Sequence, residues 1–280
     1  MQRNFLKVGV AQMQETRRLG RNLREMARFV HAASHAKIGL LVFPECALTG
    51  YGPSYHESPG GFDPDAVEAA IAEVRGLARE VRMAMVIGAH LPVEGGPHRQ
   101  TSPPPARRRS WTNSALLIAS DGRVRTRYDK AHLYGRDAEF YQAGSAPAAV
   151  AGLRRLRLGL QICFDIRFPE PFRRLALRGA RVILVPSHIH GRREMWKGPV
   201  IEAHVRSRAA ENGRFVVFAN AAGPAQNVPS MIADPRGEIV ARARRGARQL
   251  LVAALNLRRV SDDFLRARRT DLCDARLLPS

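Results

Sequence analysis

The chain has 280 residues, 45% hydrophobic and 25% charged, a composition that argues for a folded globular protein and against wholesale disorder. No apolar run is long enough to span a bilayer, and the interrupted apolar stretch Met1–Gln14 is too short for a secretory signal. The formal charge of +20 invites a nucleic-acid reading, but only four of the 45 basic residues are lysines and the arginines are scattered along the chain, with no aromatic-interleaved basic strand and no zinc-finger spacing.

Short apolar strands alternate with amphipathic helices. Lys7–Met13 is predicted as a strand, and Leu23, Met26, Ala27 and Val30 recur at helical spacing after it. Residues 39–43 (GLLVF) form a continuous apolar run of the buried-strand type, ending in Pro44-Glu45. Asp63-Pro64 supplies a cap and a first-turn proline for a helix carried by Val67, Ala70, Ile71, Val74, Leu77, Ala78 and Val81. A strand over 84–89 precedes a Pro-, Gly- and Arg-rich surface loop over 92–110, which includes Arg107-Arg108-Arg109. Strands at 114–119 and 124–128 are joined through Ser120-Asp121-Gly122 as a hairpin. Further strands are predicted at 156–163, 182–185, 215–219 and 250–255, helices at 169–178 and 196–212, and a short hairpin around Asp234-Pro235-Arg236-Gly237. With no repeat, linker or composition break, this alternation argues for one α/β domain over residues 1–280, its sheets covered by helices.

Three polar residues stand at or just past the ends of predicted strands: Glu45, Lys130 and Cys163. Strand ends next to loops are where α/β folds hold reactive groups on a rigid base. Singly, each has a plainer reading. A lone cysteine after an apolar strand is more often a small buried hydrophobe, and a Glu or Lys there is usually solvated.

Their flanks change that balance. Phe43-Pro44-Glu45-Cys46-Ala47-Leu48-Thr49-Gly50-Tyr51 resembles the glutamate motif of the nitrilase (carbon–nitrogen hydrolase) superfamily. Tyr128-Asp129-Lys130-Ala131-His132-Leu133-Tyr134 resembles its lysine motif, and the stretch from Gly159 to Glu170 around Cys163 its cysteine motif. The order of the three and the helix-and-strand stretch from Val205 to Asn220 match as well, so the resemblance covers nearly all of the chain. It implies a four-layer α-β-β-α sandwich, commonly dimerised through its outer layers, and hydrolysis of a small linear amide to carboxylate and ammonia without cofactor or metal. The segments 163–170, 173–180 and 269–272 are similar to the amidase branch, including bacterial ω-amino-amide amidases of the 5-aminopentanamidase type.

The resemblance also implies roles that suit the residue types. Cys163 is the expected nucleophile, passing through a thioester, with Glu45 as the base that takes its proton. Lys130 and the Phe164 backbone N–H are the expected oxyanion donors. Glu139 occupies the place of a second family glutamate that orients substrate and lysine, although Ala143 stands where a proline is common. Tyr51, Ser187 and His188 are expected to line the substrate pocket, His132 to support its loop, and Cys46 and Cys273 to be bystanders. His188 and His190 lack a third ligand for a metal, and no serine-hydrolase partner set or phosphate-binding glycine loop is recognisable. Three cysteines without a secretory signal read as reduced thiols in the cytoplasm. An N-carbamoyl-amine amidohydrolase on the same scaffold is the nearest rival. A catalytically silent, basic nucleic-acid-binding or scaffold protein is the rival of another class. The expected partners are a small-molecule amide and a second copy of the chain, with no specific nucleic acid and no membrane.

Overall fold

The computed structural model describes residues 4–55, 63–93, 111–146, 149–153 and 156–270. In chain order the first half runs β1 (Phe5–Gln12), α1 (Leu19–His35), β2 (Leu40–Val42), α2 (Gly52–Tyr55), α3 (Pro64–Glu80), β3 (Ala84–Pro92), β4 (Trp111–Ile118) and β5 (Val124–Asp129). It continues through α4 (Asp137–Phe140), β6 (Ala149–Leu153), β7 (Leu156–Leu160), α5 (Pro169–Leu177), β8 (Val182–Ser187), α6 (Lys197–Ala210) and β9 (Phe215–Asn220). The last elements are β10 (Met231–Ala233), β11 (Ile239–Arg242), β12 (Gln249–Asn256) and α7 (Asp263–Arg266). Among the described residues no helix is long and apolar enough to cross a membrane.

The strands form two six-stranded sheets, ordered β12-β1-β2-β3-β4-β5 and β11-β10-β9-β8-β7-β6. Alternation along each strand sends side chains to two different cores. Val182 and Leu184 meet Val8, Val10, Leu40 and Val42 between the sheets. Ile183 and Val185 instead face Phe172, Leu175, Ile201, Val205 and Ala209 of α5 and α6. Leu41, Met85 and Ile87 pack on the other side against Met26, Val30, Val67 and Val74 of α1 and α3. Three apolar layers between four structural layers make the α-β-β-α sandwich. The apolar strand runs are continuous because both faces are buried.

Helix ends follow their sequence signals. Asp63 caps α3, its Oδ1 accepting from the N–H groups of Asp65 and Ala66 at 3.1 and 3.2 Å. Two features were not legible beforehand. Ala149–Leu153 pairs with β7 as an edge strand although small residues dominate it. The chain's late strand β12 returns to pair antiparallel with β1. The strand expected over 156–163 ends at Leu160, and Cys163 opens a tight 3-10 turn through Arg167. The loop expected over 92–110 begins one residue later, because Pro92 still pairs with Trp111; residues 94–110, including Arg107–Arg109, lie outside the described residues, as do Cys273 and the tail from 271.

The two sheets share one pattern. Read from β12 and from β6, neighbouring strands run antiparallel, parallel, parallel, antiparallel, antiparallel in both. β2 and β8 are therefore equivalent strands, and the loops that follow them meet at the candidate site. There the Glu45 N–H reaches the Ser187 carbonyl at 3.4 Å.

Candidate active site

Glu45 stands on a turn fixed against β3, where the Phe43 N–H donates to Val86 O (2.9 Å) and the Leu48 N–H to Gly88 O (3.0 Å). Gly88 is required by this approach: a Cβ there would collide with the Cys46 nitrogen and the Pro44 carbonyl. Lys130 leaves the end of β5, its N–H donating to Asn113 O (2.8 Å) on β4. Cys163 follows β7 with φ of +47°, a left-handed conformation that costs a non-glycine residue on the order of 1–3 kcal/mol and recurs where a side chain must be presented.

The turn around Cys163 is tied to the lysine loop by Asp165, which is fully buried. Its Oδ2 accepts from the Ile162 N–H (2.9 Å) and the Tyr128 hydroxyl (2.8 Å). Its Oδ1 accepts from the His132 N–H (3.0 Å) and lies 2.7 Å from His132 Nδ1. His132 thus supports its loop. Asp165 fastens the three residues after β5 to the three after β7.

These loops bring Glu45, Lys130 and Cys163 together, with residue exposures of 0%, 1% and 8%. Lys130 Nζ donates to Glu45 Oε1 and to Asp137 Oδ2, both at 2.7 Å. Asn113 Nδ2 donates to the same Glu45 Oε1 at 2.7 Å, and the His188 N–H to Glu45 Oε2 at 2.8 Å. The His188 carbonyl in turn lies 3.9 Å from Cys163 Sγ. The main chain of one residue, His188, therefore touches both the carboxylate and the thiol.

Burial and the neighbouring Glu45 charge push the Cys163 thiol well above its ordinary pKa, with Lys130 opposing them. Both influences favour the protonated sulfur in the resting site. Burial alone would lower Lys130, but the Glu45 and Asp137 carboxylates hold it up as an ammonium. Burial likewise raises the Cys46 thiol; its sulfur faces Asn113 Oδ1 at 3.4 Å.

The second carboxylate of the site is Asp137 in place of Glu139. Glu139 points outward, its side chain 56% exposed and paired with Arg136 at 2.9 Å. Asp137, fully buried in the first turn of α4, is aimed by the Tyr51 hydroxyl (2.5 Å, to Oδ1) and the Tyr134 N–H (3.0 Å, to Oδ2). Two carboxylates two residues apart in a single helical turn face different directions, and only the tertiary partners decide which one turns inward. A second correction concerns Ser187, whose hydroxyl bonds back to Val185 O (3.3 Å) on its own strand. Ser187 serves the site through its carbonyl. Tyr51 stacks on His188, ring centroids 4.6 Å apart, and Phe164 packs against Tyr134 at 4.7 Å. Asn113 was not singled out beforehand, since an asparagine inside an apolar strand carries no motif; its buried amide in mid-strand is the signal.

Among the described residues no group of three His, Cys, Asp or Glu side chains is arranged to hold a metal ion. An open groove of about 640 Å³, lined by Gly198, Glu202, Arg206 and Val228 among others, includes none of Glu45, Lys130 and Cys163. Chemistry, and not cavity size, locates this site.

The carbon-nitrogen hydrolase family model matches residues 7–263. The chain is a carbon–nitrogen hydrolase. The hydrolase is 30% identical over 227 residues to a hydrolase of Pseudomonas protegens, covering 79% of this chain and 73% of that protein. It is 29% identical to an (R)-stereoselective amidase of a Pseudomonas species, covering 82% and 79%. Its fold matches a glutamate-to-glutamine variant of an amidase from Nesterenkonia sp. AN1 with a TM-score of 0.80, at 26% identity over 99% of this chain and 98% of that one. In that neighbour the acetamide moiety of fluoroacetamide is covalently added to the active-site cysteine.

Proposed function

We propose that the hydrolase cleaves a small linear amide to a carboxylate and ammonia through a thioester on Cys163. The observation that carries this reading is the buried Lys130 ammonium bonded to the Glu45 carboxylate, with the His188 main chain bridging that carboxylate to the Cys163 sulfur. A thiol held protonated needs a base in contact with it as it attacks, and Glu45 is the carboxylate beside it.

In the first half-reaction Cys163 Sγ bonds to the amide carbon while its proton passes to Glu45. The carbonyl oxygen takes the negative charge. Two of the three Lys130 N–H donors are engaged by Glu45 and Asp137, which leaves the third for this oxygen. Phe164, in the first turn of a 3-10 helix, has an N–H outside that helix's bonding ladder and serves as the second donor. The carbon–nitrogen bond then breaks, the nitrogen leaves with the proton held by Glu45, and an acyl thioester remains. Water attacks the thioester with Glu45 again accepting a proton, releasing the acid and restoring the thiol. Asp137 keeps the ammonium aimed throughout, the part expected of Glu139.

The amidase names among the relatives and the cysteine adduct in the structural neighbour support the reading. Ammonia release across a panel of short amides, ω-amino amides, carbamoyl amines and nitriles tests it. Turnover of amides with one ammonia per acid supports the proposal. Carbon dioxide released with the ammonia would move the enzyme to the carbamoyl-amine reaction, and no turnover on any member would overturn the amidase reading.

A further inference from the structure

Beside the cysteine site lies a cluster of side chains that the amide reaction does not use, His188 meeting Glu45 and Cys163 only through its main chain. Ser54 Oγ is 3.3 Å from His188 Nε2. The other ring nitrogen of His188, Nδ1, is paired with the Glu15 carboxylate. Both Glu15 and the His188 ring are buried, and the ring is fixed from its flat sides by Tyr51, stacked at 4.6 Å, and His190 at 4.3 Å. Ser54 itself is exposed. These three residues come from the segment after β1, from α2 and from the loop after β8, which is why no sequence pattern joins them.

We propose that Ser54, His188 and Glu15 form a second nucleophile relay, a serine activated by an oriented imidazole, able to take the acyl group of activated esters independently of Cys163. The arrangement meets the geometric requirement for such a relay: a hydroxyl within reach of a base, and the base held by a third group. Burial works against charging His188, but the adjacent Glu15 carboxylate holds it above the ordinary histidine value, which makes it a stronger base. In the step, Ser54 Oγ bonds to the ester carbonyl carbon and its proton passes to His188 Nε2. The alkoxide leaves with that proton, and water later hydrolyses the acyl-serine. Restriction to activated acyl groups follows from the main chain: the Ser54 N–H is already committed to Tyr51 O (3.0 Å) and cannot serve as an oxyanion donor.

The test uses Cys163→Ala, which removes the thiol chemistry, with a fluorophosphonate as probe. The serine oxygen would displace fluoride and leave a phosphonyl adduct that peptide mass mapping locates. The expected result is an adduct on Ser54 and release of p-nitrophenol from p-nitrophenyl acetate, both abolished by adding Ser54→Ala. Adding His188→Asn should slow labelling by about 10²-fold, and Glu15→Gln, which keeps the side-chain shape, by about tenfold or more. In the enzyme with its cysteine intact, Ser54→Ala should leave ammonia release from amides unchanged. The proposal is overturned by an absence of adduct on Ser54 in folded protein. It is equally overturned by labelling that ignores His188→Asn and Glu15→Gln, or by loss of amide turnover in Ser54→Ala, which would assign Ser54 to the cysteine site.

Discussion

At the scale of single residues, the site depends on which charge stands beside which. Because Asp137 contacts Lys130 and Glu139 does not, Asp137→Asn should lower kcat by roughly ten- to a hundredfold, whereas Glu139→Ala should leave it near the starting value; steady-state kinetics on one amide separates the two. Lys130→Met should lose about 10²–10³ in kcat with a much smaller change in KM, since the ammonium acts on an oxygen that becomes anionic only in the transition state. The raised Cys163 pKa has its own readout. Burial and Glu45 disfavour the thiolate, so thiolate absorbance from Cys163 should be absent at pH 7 and emerge only above the ordinary thiol range; a midpoint below 7 would contradict the proton assignment. His190 carries a stability prediction. Burial and the neighbouring His188 charge lower its pKa to about 4, so an unfolded chain takes up a proton near pH 6.5 that the folded one refuses. Its contribution is whole above 6.5 and is lost as pH falls towards 4, and His190→Gln should flatten the slope of denaturant-measured stability across that window.

At the scale of elements, strand ends carry the chemistry and side chains bolt the loops to one another. Asp165 accepts from two elements at once, so Asp165→Ala strands buried donors on both the lysine loop and the cysteine turn. Unsatisfied groups of this kind cost about 1–3 kcal/mol each, and a loss of roughly 3 kcal/mol in urea unfolding is expected, accompanied by a fall in kcat. Glu45, Lys130 and Cys163 were legible in the sequence because each stands at or just past the end of a predicted strand inside a distinctive run. Helix α3 was legible from Asp63, Pro64 and its apolar spacing. Asp137 and Asn113 were not, because their roles depend on partners far along the chain: Tyr51 for the first, Glu45 for the second. The turn at Cys163 was read as strand, since a positive φ at a cysteine leaves no trace in composition. The Ser54–His188–Glu15 cluster was invisible for the same reason as Asp137, its members lying 39 and 134 residues apart in sequence.

At the scale of the whole molecule, two sheets of identical strand pattern set equivalent loops against each other. The main chain after β8 thus reaches Glu45, which follows β2. No repeat is visible in the sequence because burial on both faces constrains these strands only to be apolar, and apolar residues exchange freely. We propose that the +20 charge gives weak, nonspecific nucleic-acid binding that disappears as salt is raised to physiological levels, and that the functional form is a homodimer; gel-shift titration at two salt concentrations and light scattering test these. The claim on which the account rests is that Cys163 carries the acyl group. Quenching the enzyme during turnover of a short amide and mapping the adduct by mass spectrometry tests it most directly. The predicted result is an acyl thioester on the peptide containing Cys163, with no ammonia released by a folded Cys163→Ala variant. An adduct on Cys46 or Cys273, or turnover by that variant, would contradict it.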